Sequence, residues 1–332
     1  MASPILQAEA KILVIQTAFL GDVILSTALL EKLHAHYPSA KLHMLVRKGN
    51  EGILASHPYL DKLLIWNKKE NKYRNLFHLL NTIRAEKYDL VVNVQRFAAS
   101  GFLTAFSGGK ITVGFNKNPF SSLFTRRIKH EYRPHEVERN QQLIAFCTDD
   151  QAARPRLYPS EGNYGNTEQF KTKEYITIAP ASVWFTKQFP PEKWAEFLNS
   201  VKEPLVVYLV GAPTDSVIAD KIISLTLNPR LTLVNLCTSL NILDTAALFD
   251  GARMNYTNDS APLHIASAMN APIRAVFCST IPAFGFGPLS DNGGIIETKV
   301  SLSCRPCTLH GRKKCPLGHY KCALTIEFSL ND

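Results

Sequence analysis

The chain alternates between short apolar bursts of valine, isoleucine and leucine and longer stretches whose apolar positions recur at helical spacing. A parallel sheet covered on both faces by crossover helices gives that pattern, because its strands meet no water on either side. In the first half the bursts fall at residues 11–16, 41–46, 63–66, 89–94 and 111–114, and helices are predicted at 22–36 and 76–87. On the first helix Val23, Ala28, Leu29 and Leu33 share a face, and Glu31 and Lys32 point away from it. A polar stretch with glycine and proline, residues 158–172, reads as a linker. The alternation then restarts, with strands at 175–179, 205–210, 231–235, 254–257 and 273–277. Helices are predicted between them at 191–201, 216–225, 243–251 and 262–269. The expected architecture is α/β: two Rossmann-like, doubly wound domains facing a cleft, residues 1–164 and 165–332.

Composition agrees with two globular cores: 332 residues, 45% hydrophobic and 20% charged. No apolar run nears the roughly 18 to 20 residues a membrane-spanning helix needs. The first ten residues carry Glu9 and lack a basic segment, so no secretion signal is read and a cytoplasmic location is expected. The net charge of +9 is uneven. Residues 1–164 hold 22 Lys and Arg against 14 Asp and Glu, and the remainder holds 15 against 14. The first half therefore faces something anionic or is simply well solvated. Nucleic acid is not an expected partner, since no recognition motif occurs and the basic residues are scattered among acidic ones.

Three strand ends carry candidate chemistry, because ligands of open α/β sheets bind at the carboxyl ends of strands. After the first burst comes TAFLGD (residues 17–22), where Gly21 permits a tight turn and Asp22 opens a helix. A carboxylate there serves as a helix cap or as a reactive group, and the loop alone does not decide between them. The dinucleotide pattern G-x-G-x-x-G is absent. After the first burst of the second half comes APASVWFTKQFP (residues 179–190), offering the hydroxyls of Ser182 and Thr186 and the charge of Lys187. The third is TNDSAPLH (residues 257–264). Asp259 or Ser260 can cap the helix that follows, Pro262 suits its first turn, and the exposed N–H groups suit a phosphate. An ordinary capped helix accounts for those three residues but not for His264.

Together these segments resemble the ADP-heptose:lipopolysaccharide heptosyltransferases, glycosyltransferase family nine of the twin-Rossmann type. The family's opening strand, G-D and apolar helix match KILVIQTAFLGDVILSTALLEKL. Its pattern A-P-G-S-x-W-x-x-K-x-W-P matches APASVWFTKQFP, and N-D-S-G-P-x-H-x-A-x-A matches NDSAPLHIASA. The segments YDLVVNVQRF and HEVERN also resemble the family, and the five run in order over residues 11–326. Ala181 and Ala261 replace family glycines, and Phe189 replaces a tryptophan.

The resemblance implies inverting transfer from a nucleotide sugar, ADP-heptose first, onto a lipid-linked acidic saccharide acceptor, with no required metal and no cofactor. Asp22 is then the general base and Lys187 the catalytic cation on the leaving diphosphate. Ser182, Thr186, Asp259, Ser260, Ala261 and His264 line the donor pocket, and Asp215 meets a ribose hydroxyl. The basic first half becomes the acceptor side, with Arg96, Arg126 and Arg127 as anion contacts and a peripheral touch on the inner membrane surface. Transfer of another nucleotide sugar, and noncatalytic nucleotide-sugar binding on the same fold, are the alternatives.

Seven cysteines remain. Cys147, Cys237 and Cys278 sit in apolar surroundings and read as core. Cys304, Cys307, Cys315 and Cys322 are spaced C-x2-C-x7-C-x6-C, which fits zinc, disulfides or free thiols. A reducing cytoplasm disfavours disulfides. No metal site is assigned from the spacing alone.

Overall fold

The computed structural model describes residues 6–330. The chain divides into two compact units, Met1–Tyr158 and Pro159–Asp332. Recounted at that division, the first unit holds 22 basic against 13 acidic residues and the second 15 against 15, so the whole excess of +9 belongs to the first.

In the first unit the elements run β1 (Lys11–Ile15), α1 (Leu20–His36), β2 (Lys41–Arg47), β3 (Lys62–Trp66), α2 (Lys72–Glu86), β4 (Leu90–Asn93), α3 (Ala98–Ala105), β5 (Ile111–Phe115), β6 (Arg126–Ile128) and α4 (Glu136–Gln141). Its six strands are parallel, in the order β3-β2-β1-β4-β5-β6. β1 is central, with Ile15 in register with Leu45 on one side and Asn93 on the other. That position explains why four of the five residues of KILVI are buried. α1 is more enclosed than its sequence suggests: Val23 to Leu30 are all buried. Glu31 and Lys32, expected on the outer face, are half-buried under other segments. Tyr158 donates to Glu31 at 2.9 Å, and Lys32 pairs with Asp149 at 2.6 Å.

The second unit runs α5 (Glu161–Glu168), β7 (Tyr175–Ala179), α6 (Pro191–Ser200), β8 (Leu205–Leu209), α7 (Ser216–Leu225), β9 (Leu231–Asn235), α8 (Ile242–Asp250), β10 (Met254–Asn258), α9 (Ala261–Ala268), β11 (Ile273–Phe277), β12 (Gly293–Glu297) and α10 (Lys321–Leu324). Its parallel sheet has the order β12-β11-β10-β7-β8-β9. Counted from the start of each unit, both sheets are therefore 3-2-1-4-5-6, the doubly wound arrangement whose chain reverses direction between strands 1 and 4. Trp194, Phe197 and Tyr256 centre the second core, and Phe328 covers it, stacked on Phe197 at 4.6 Å between ring centroids. Each such large side chain contributes roughly 1.5 to 3 kcal/mol when fully buried.

The pattern of apolar bursts missed β6 and β12. Both are edge strands, and neither RRI nor GGIIE has the two-sided burial that writes an apolar run. The stretch expected to be a linker contains α5. Ser160 Oγ accepts the Asn163 N–H at 3.3 Å while Asn163 Oδ1 accepts the Ser160 N–H at 2.9 Å, a capping box that starts a helix in polar sequence. The amides of Asn163 and Asn166 then donate to Asp244 on α8.

Candidate functional site

In both units the strand pair that flanks the reversal point is followed by most of the candidate residues. In the first unit the pair is β1 and β4. The loop after β1 is tied down from behind by polar side chains. Thr17 Oγ1 donates to Gln95 Oε1 at 2.7 Å, and Gln95 Nε2 donates to Gln16 Oε1 at 2.9 Å, all three residues being buried. Asn50 Nδ2 holds the Ala18 carbonyl at 3.0 Å. Asp22, half-buried in the first turn of α1, accepts the Phe19 N–H through Oδ2 at 3.2 Å. It therefore caps its own helix while standing at the strand end.

Lys68, just beyond β3, reaches the same loop. Its Nζ donates to the Thr17 carbonyl at 2.7 Å and to Thr17 Oγ1 at 2.9 Å, and it lies 4.6 Å from the Trp66 ring centroid. Burial, with Arg47 and Lys72 as like-charged neighbours, lowers its pKa to about 8. Lys68, Lys72, Thr17, Gln95, Phe97 and Ser100 line a pocket of about 170 Å³ in this unit. Lys68 and Gln95 are not among the residues expected above, although each stands two residues past a parallel strand, where ligands of such sheets bind.

Of the three arginines expected at the acceptor side, Arg96 follows β4 and so stands at the reversal point. Its Nη1 is 3.5 Å from the Tyr132 hydroxyl. Arg126 and Arg127 lie on the edge strand β6, two strands removed from β4. The Arg126 guanidinium packs over the Phe146 ring at 4.3 Å.

In the second unit the pair is β7 and β10. The loop after β7 is pinned by the buried Asn258, whose Nδ2 donates to the Pro180 carbonyl at 2.6 Å and whose Oδ1 accepts the Phe189 N–H at 2.9 Å. Lys187 Nζ pairs with Asp259 Oδ2 at 2.7 Å, and the same oxygen accepts the Thr280 hydroxyl at 2.6 Å. The Thr186 side chain is buried, and its Oγ1 accepts both the Arg312 N–H and the Ser279 hydroxyl, at 2.8 and 2.9 Å. Its hydroxyl joins the loop to the C-terminal segment. The Ser182 carbonyl accepts from Gln188 Nε2 at 2.6 Å.

Ser260 is the N-cap of α9 but makes no side-chain cap to it; its carbonyl accepts the Leu263 N–H at 3.1 Å, and Pro262 in the first turn has no N–H to satisfy. His264 is buried in the next turn, with its ring edge-on to Phe286. Asp215, after β8, accepts the Ala212 N–H at 2.8 Å. Gly211 makes room for that carboxylate: a Cβ there would lie 2.8 Å from Asp215 Oδ2.

The family model described as glycosyltransferase family 9 (heptosyltransferase) matches residues 76–321, which is well over half of the chain. The chain belongs to glycosyltransferase family 9. Among its relatives, lipopolysaccharide heptosyltransferase 3 of Escherichia coli is 26% identical over 295 residues, spanning 82% of this chain and 85% of that protein. Lipopolysaccharide heptosyltransferase 1 of Pseudomonas aeruginosa is 26% identical over 325 residues, spanning 90% and 86%. The structure of Escherichia coli ADP-heptose lipopolysaccharide heptosyltransferase II superposes with a TM-score of 0.76 at 22% identity, over 90% of this chain and 95% of that one. The chain is thus a glycosyltransferase of the lipopolysaccharide heptosyltransferase family with the twin-Rossmann GT-B fold.

Within this transferase the three departures from the family pattern fall at positions of small consequence for the frame. Phe189 is buried and packs edge-on against Trp194 at 5.1 Å, filling an aromatic position with an aromatic. Ala181 and Ala261 add one methyl group each beside the β7 loop and at the first residue of α9. Among the described residues no helix is long and apolar enough to cross a membrane.

Proposed function

We propose that this transferase moves a heptose from ADP-heptose onto an anionic inner-core lipopolysaccharide acceptor, with inversion at the anomeric carbon and without a metal ion in the chemistry. The first unit takes the acceptor and the second the donor. The observation that carries the reading is Asp22, a carboxylate in the first turn of α1 at the reversal point of the basic sheet, directly after a loop fixed by Gln16, Thr17, Gln95 and Lys68. A fixed base is what general-base catalysis needs, since the acceptor hydroxyl loses its proton as it attacks.

On the donor side, the diphosphate leaves with growing negative charge. Lys187 supports this role as a cation with three N–H donors, of which Asp259 occupies one side. The N-terminal end of α9 at Ser260 and Ala261, with Ser182 on the facing loop, adds dipole and hydrogen-bond donors. Thr186 contributes by holding the loop, and Asp259 by orienting Lys187. His264 and Asp215 complete the donor pocket in this reading. Lys68, Lys72 and Arg96 meet the acceptor's phosphate or carboxylate groups.

The test is a transfer assay with purified enzyme, ADP-heptose and a truncated inner-core acceptor, run beside other nucleotide sugars and with excess chelator. Transfer of heptose, an anomeric configuration opposite to the donor's by NMR, and unchanged rate with chelator are expected. Faster transfer from another nucleotide sugar overturns the donor assignment. Tight nucleotide binding without any transfer overturns the enzymatic reading.

A further inference from the structure

On α2 the apolar residues Leu76, Leu79, Leu80 and Ile83 face the core of the first unit, and helical spacing calls for polar residues on the other side. That side instead carries Tyr73 and Phe77, one turn apart and 70% and 57% exposed. The apolar surface continues onto α3 and the turn between β5 and β6. Phe77 meets Phe102 edge-on at 5.7 Å between ring centroids, and Phe102, Phe106 and Phe120 lie 5.1 to 6.3 Å from one another. Phe102 rests on the core below, whereas Phe106 and Leu123, three residues after Phe120, are 43% and 54% exposed. Single exposed apolar side chains are ordinary, but a joined group of aromatic rings on a surface marks an interaction site. The second unit has no counterpart. Among its described residues the one large aromatic side chain left exposed is Phe185, and its ring is stacked on Tyr320.

The segments that build this patch carry charge of one sign. Residues 72–84 and 96–130 contain nine Lys and Arg and no Asp or Glu. Lys110 and Lys129 pair with Asp89 and Glu131, and the other seven have no ion-pair partner among the described residues. A second copy docking here would set like charges against like. Exposed rings interleaved with unpaired cations match the surface of an anionic bilayer, where the rings settle at headgroup level and Lys and Arg meet lipid phosphates.

We propose that the face formed by Tyr73, Phe77, Phe102, Phe106, Phe120 and Leu123 docks the enzyme on the anionic surface of a phospholipid bilayer. The protein lies on that surface, since no helix among the described residues is long and apolar enough to cross it. α2 and α3 also carry Lys72 and Ala99, which line the pocket beside Thr17, so docking by this face brings the pocket to the membrane surface. The lipid-linked acceptor proposed for transfer sits at such a surface. Docking rests on that reading only there, and its test uses neither sugar substrate.

The full chain is sedimented with vesicles of phosphatidylethanolamine and phosphatidylglycerol, and with vesicles of phosphatidylcholine alone. Binding to the anionic vesicles is expected to exceed binding to the neutral ones at least about tenfold and to weaken as salt is raised. Phe77→Ser with Phe106→Ser should lower the anionic partition about 10- to 100-fold, with the melting temperature nearly unchanged because both rings are exposed. Arg74→Gln with Lys117→Gln should lower it roughly tenfold and flatten its salt dependence. Val217→Ser with Leu227→Ser, at exposed positions in the second unit, should leave it unchanged. Phe77→Trp should add fluorescence that is quenched by lipids brominated in their acyl chains, which adsorption by charge alone does not produce. Transfer to an acceptor saccharide stripped of its lipid should be the same in the parent and both patch variants, so a failed docking surface and a failed transfer reaction are read apart. No binding to anionic vesicles, undiminished binding by the Phe77 and Phe106 double variant, or self-association that this variant abolishes overturns the proposal.

Discussion

The two units share one strand order and place their loops at the same reversal point, yet they differ in charge and in how their polar groups are satisfied. The first carries the whole excess of +9 and presents Lys68 beside a pocket, its ammonium crowded by Arg47 and Lys72. The second has no net charge, and its central cation is already paired with Asp259. A frame that fixes where strand ends meet leaves the chemistry to the residues after each strand. A crowded, partly desolvated cation is poised to gain from an arriving anion. A paired one gives an oriented donor that needs no reorganisation.

The sharpest way to break this division of roles is Asp22→Asn. Asparagine keeps an oxygen for the Phe19 N–H, so the cap and the fold should survive. Turnover should fall by about 10² to 10⁴, the usual worth of a positioned general base, with nucleotide affinity unchanged. Steady-state kinetics and calorimetric titration check it. Turnover within a few-fold of the parent removes Asp22 from the chemistry and leaves it a cap.

Lys187→Ala tests the second unit. Affinity for a nucleoside diphosphate should drop about 10- to 100-fold while affinity for the nucleoside hardly moves, because a charge-assisted contact to phosphate is worth about 1.5 to 3 kcal/mol. Removing the cation also leaves Asp259 buried without its partner, so the variant should melt earlier. Lys187→Arg should restore the melting temperature more fully than the affinity. Equal loss for both ligands means that Lys187 holds the loop and touches no phosphate.

Much of this was legible in the sequence, for reasons that also mark where it failed. Central strands such as KILVI are written as apolar runs because both faces are buried, and the loops that follow them carried Asp22, Lys187 and Asp259 in plain view. β6 and β12, written RRI and GGIIE, carry no such run, whereas the edge strands β3 and β9 keep enough apolar residues to be read. Lys68 was invisible for a different reason. In sequence it is one lysine among several in NKKENK (residues 67–72), and only the spatial adjacency of β3, β2 and β1 brings it to Thr17. Thr186 read as a ligand hydroxyl because its partners, Ser279 and Arg312, lie 93 and 126 residues away.

A smaller effect should separate Lys68 as an anion contact from Lys68 as a loop pin. Burial holds its pKa at about 8, so it is an ammonium below that pH and loses its charge as pH rises through it. Acceptor kcat/KM, which reports the free enzyme, should fall through the same range while donor binding stays level. Lys68→Arg should abolish that limb, since a guanidinium keeps its charge, and Lys68→Met should raise the acceptor KM about tenfold at every pH below 8. If Lys68→Met lowers kcat with KM unchanged, its bonds to Thr17 are what matter.

The smallest effect belongs to the edge strand. Arg126 and Arg127 lie on β6, away from the reversal point, so any attraction they exert on an anionic acceptor acts through solvent and is screened within about 8 to 10 Å at physiological salt. Replacing both with alanine should raise the acceptor KM only a few-fold at low ionic strength and not measurably at high. The salt dependence of KM should become shallower, with kcat and nucleotide affinity unchanged. Arg96, which follows β4 at the reversal point, gives the internal standard: Arg96→Ala should cost more than the double variant and keep part of its cost in high salt. If the double variant instead matches the parent at both ionic strengths, the edge arginines are merely solvated, and the basic excess of the first unit acts only through the residues gathered around Thr17. Should the edge pair cost more than Arg96, the acceptor extends across the sheet to β6, and the reversal point holds only the reacting end of it.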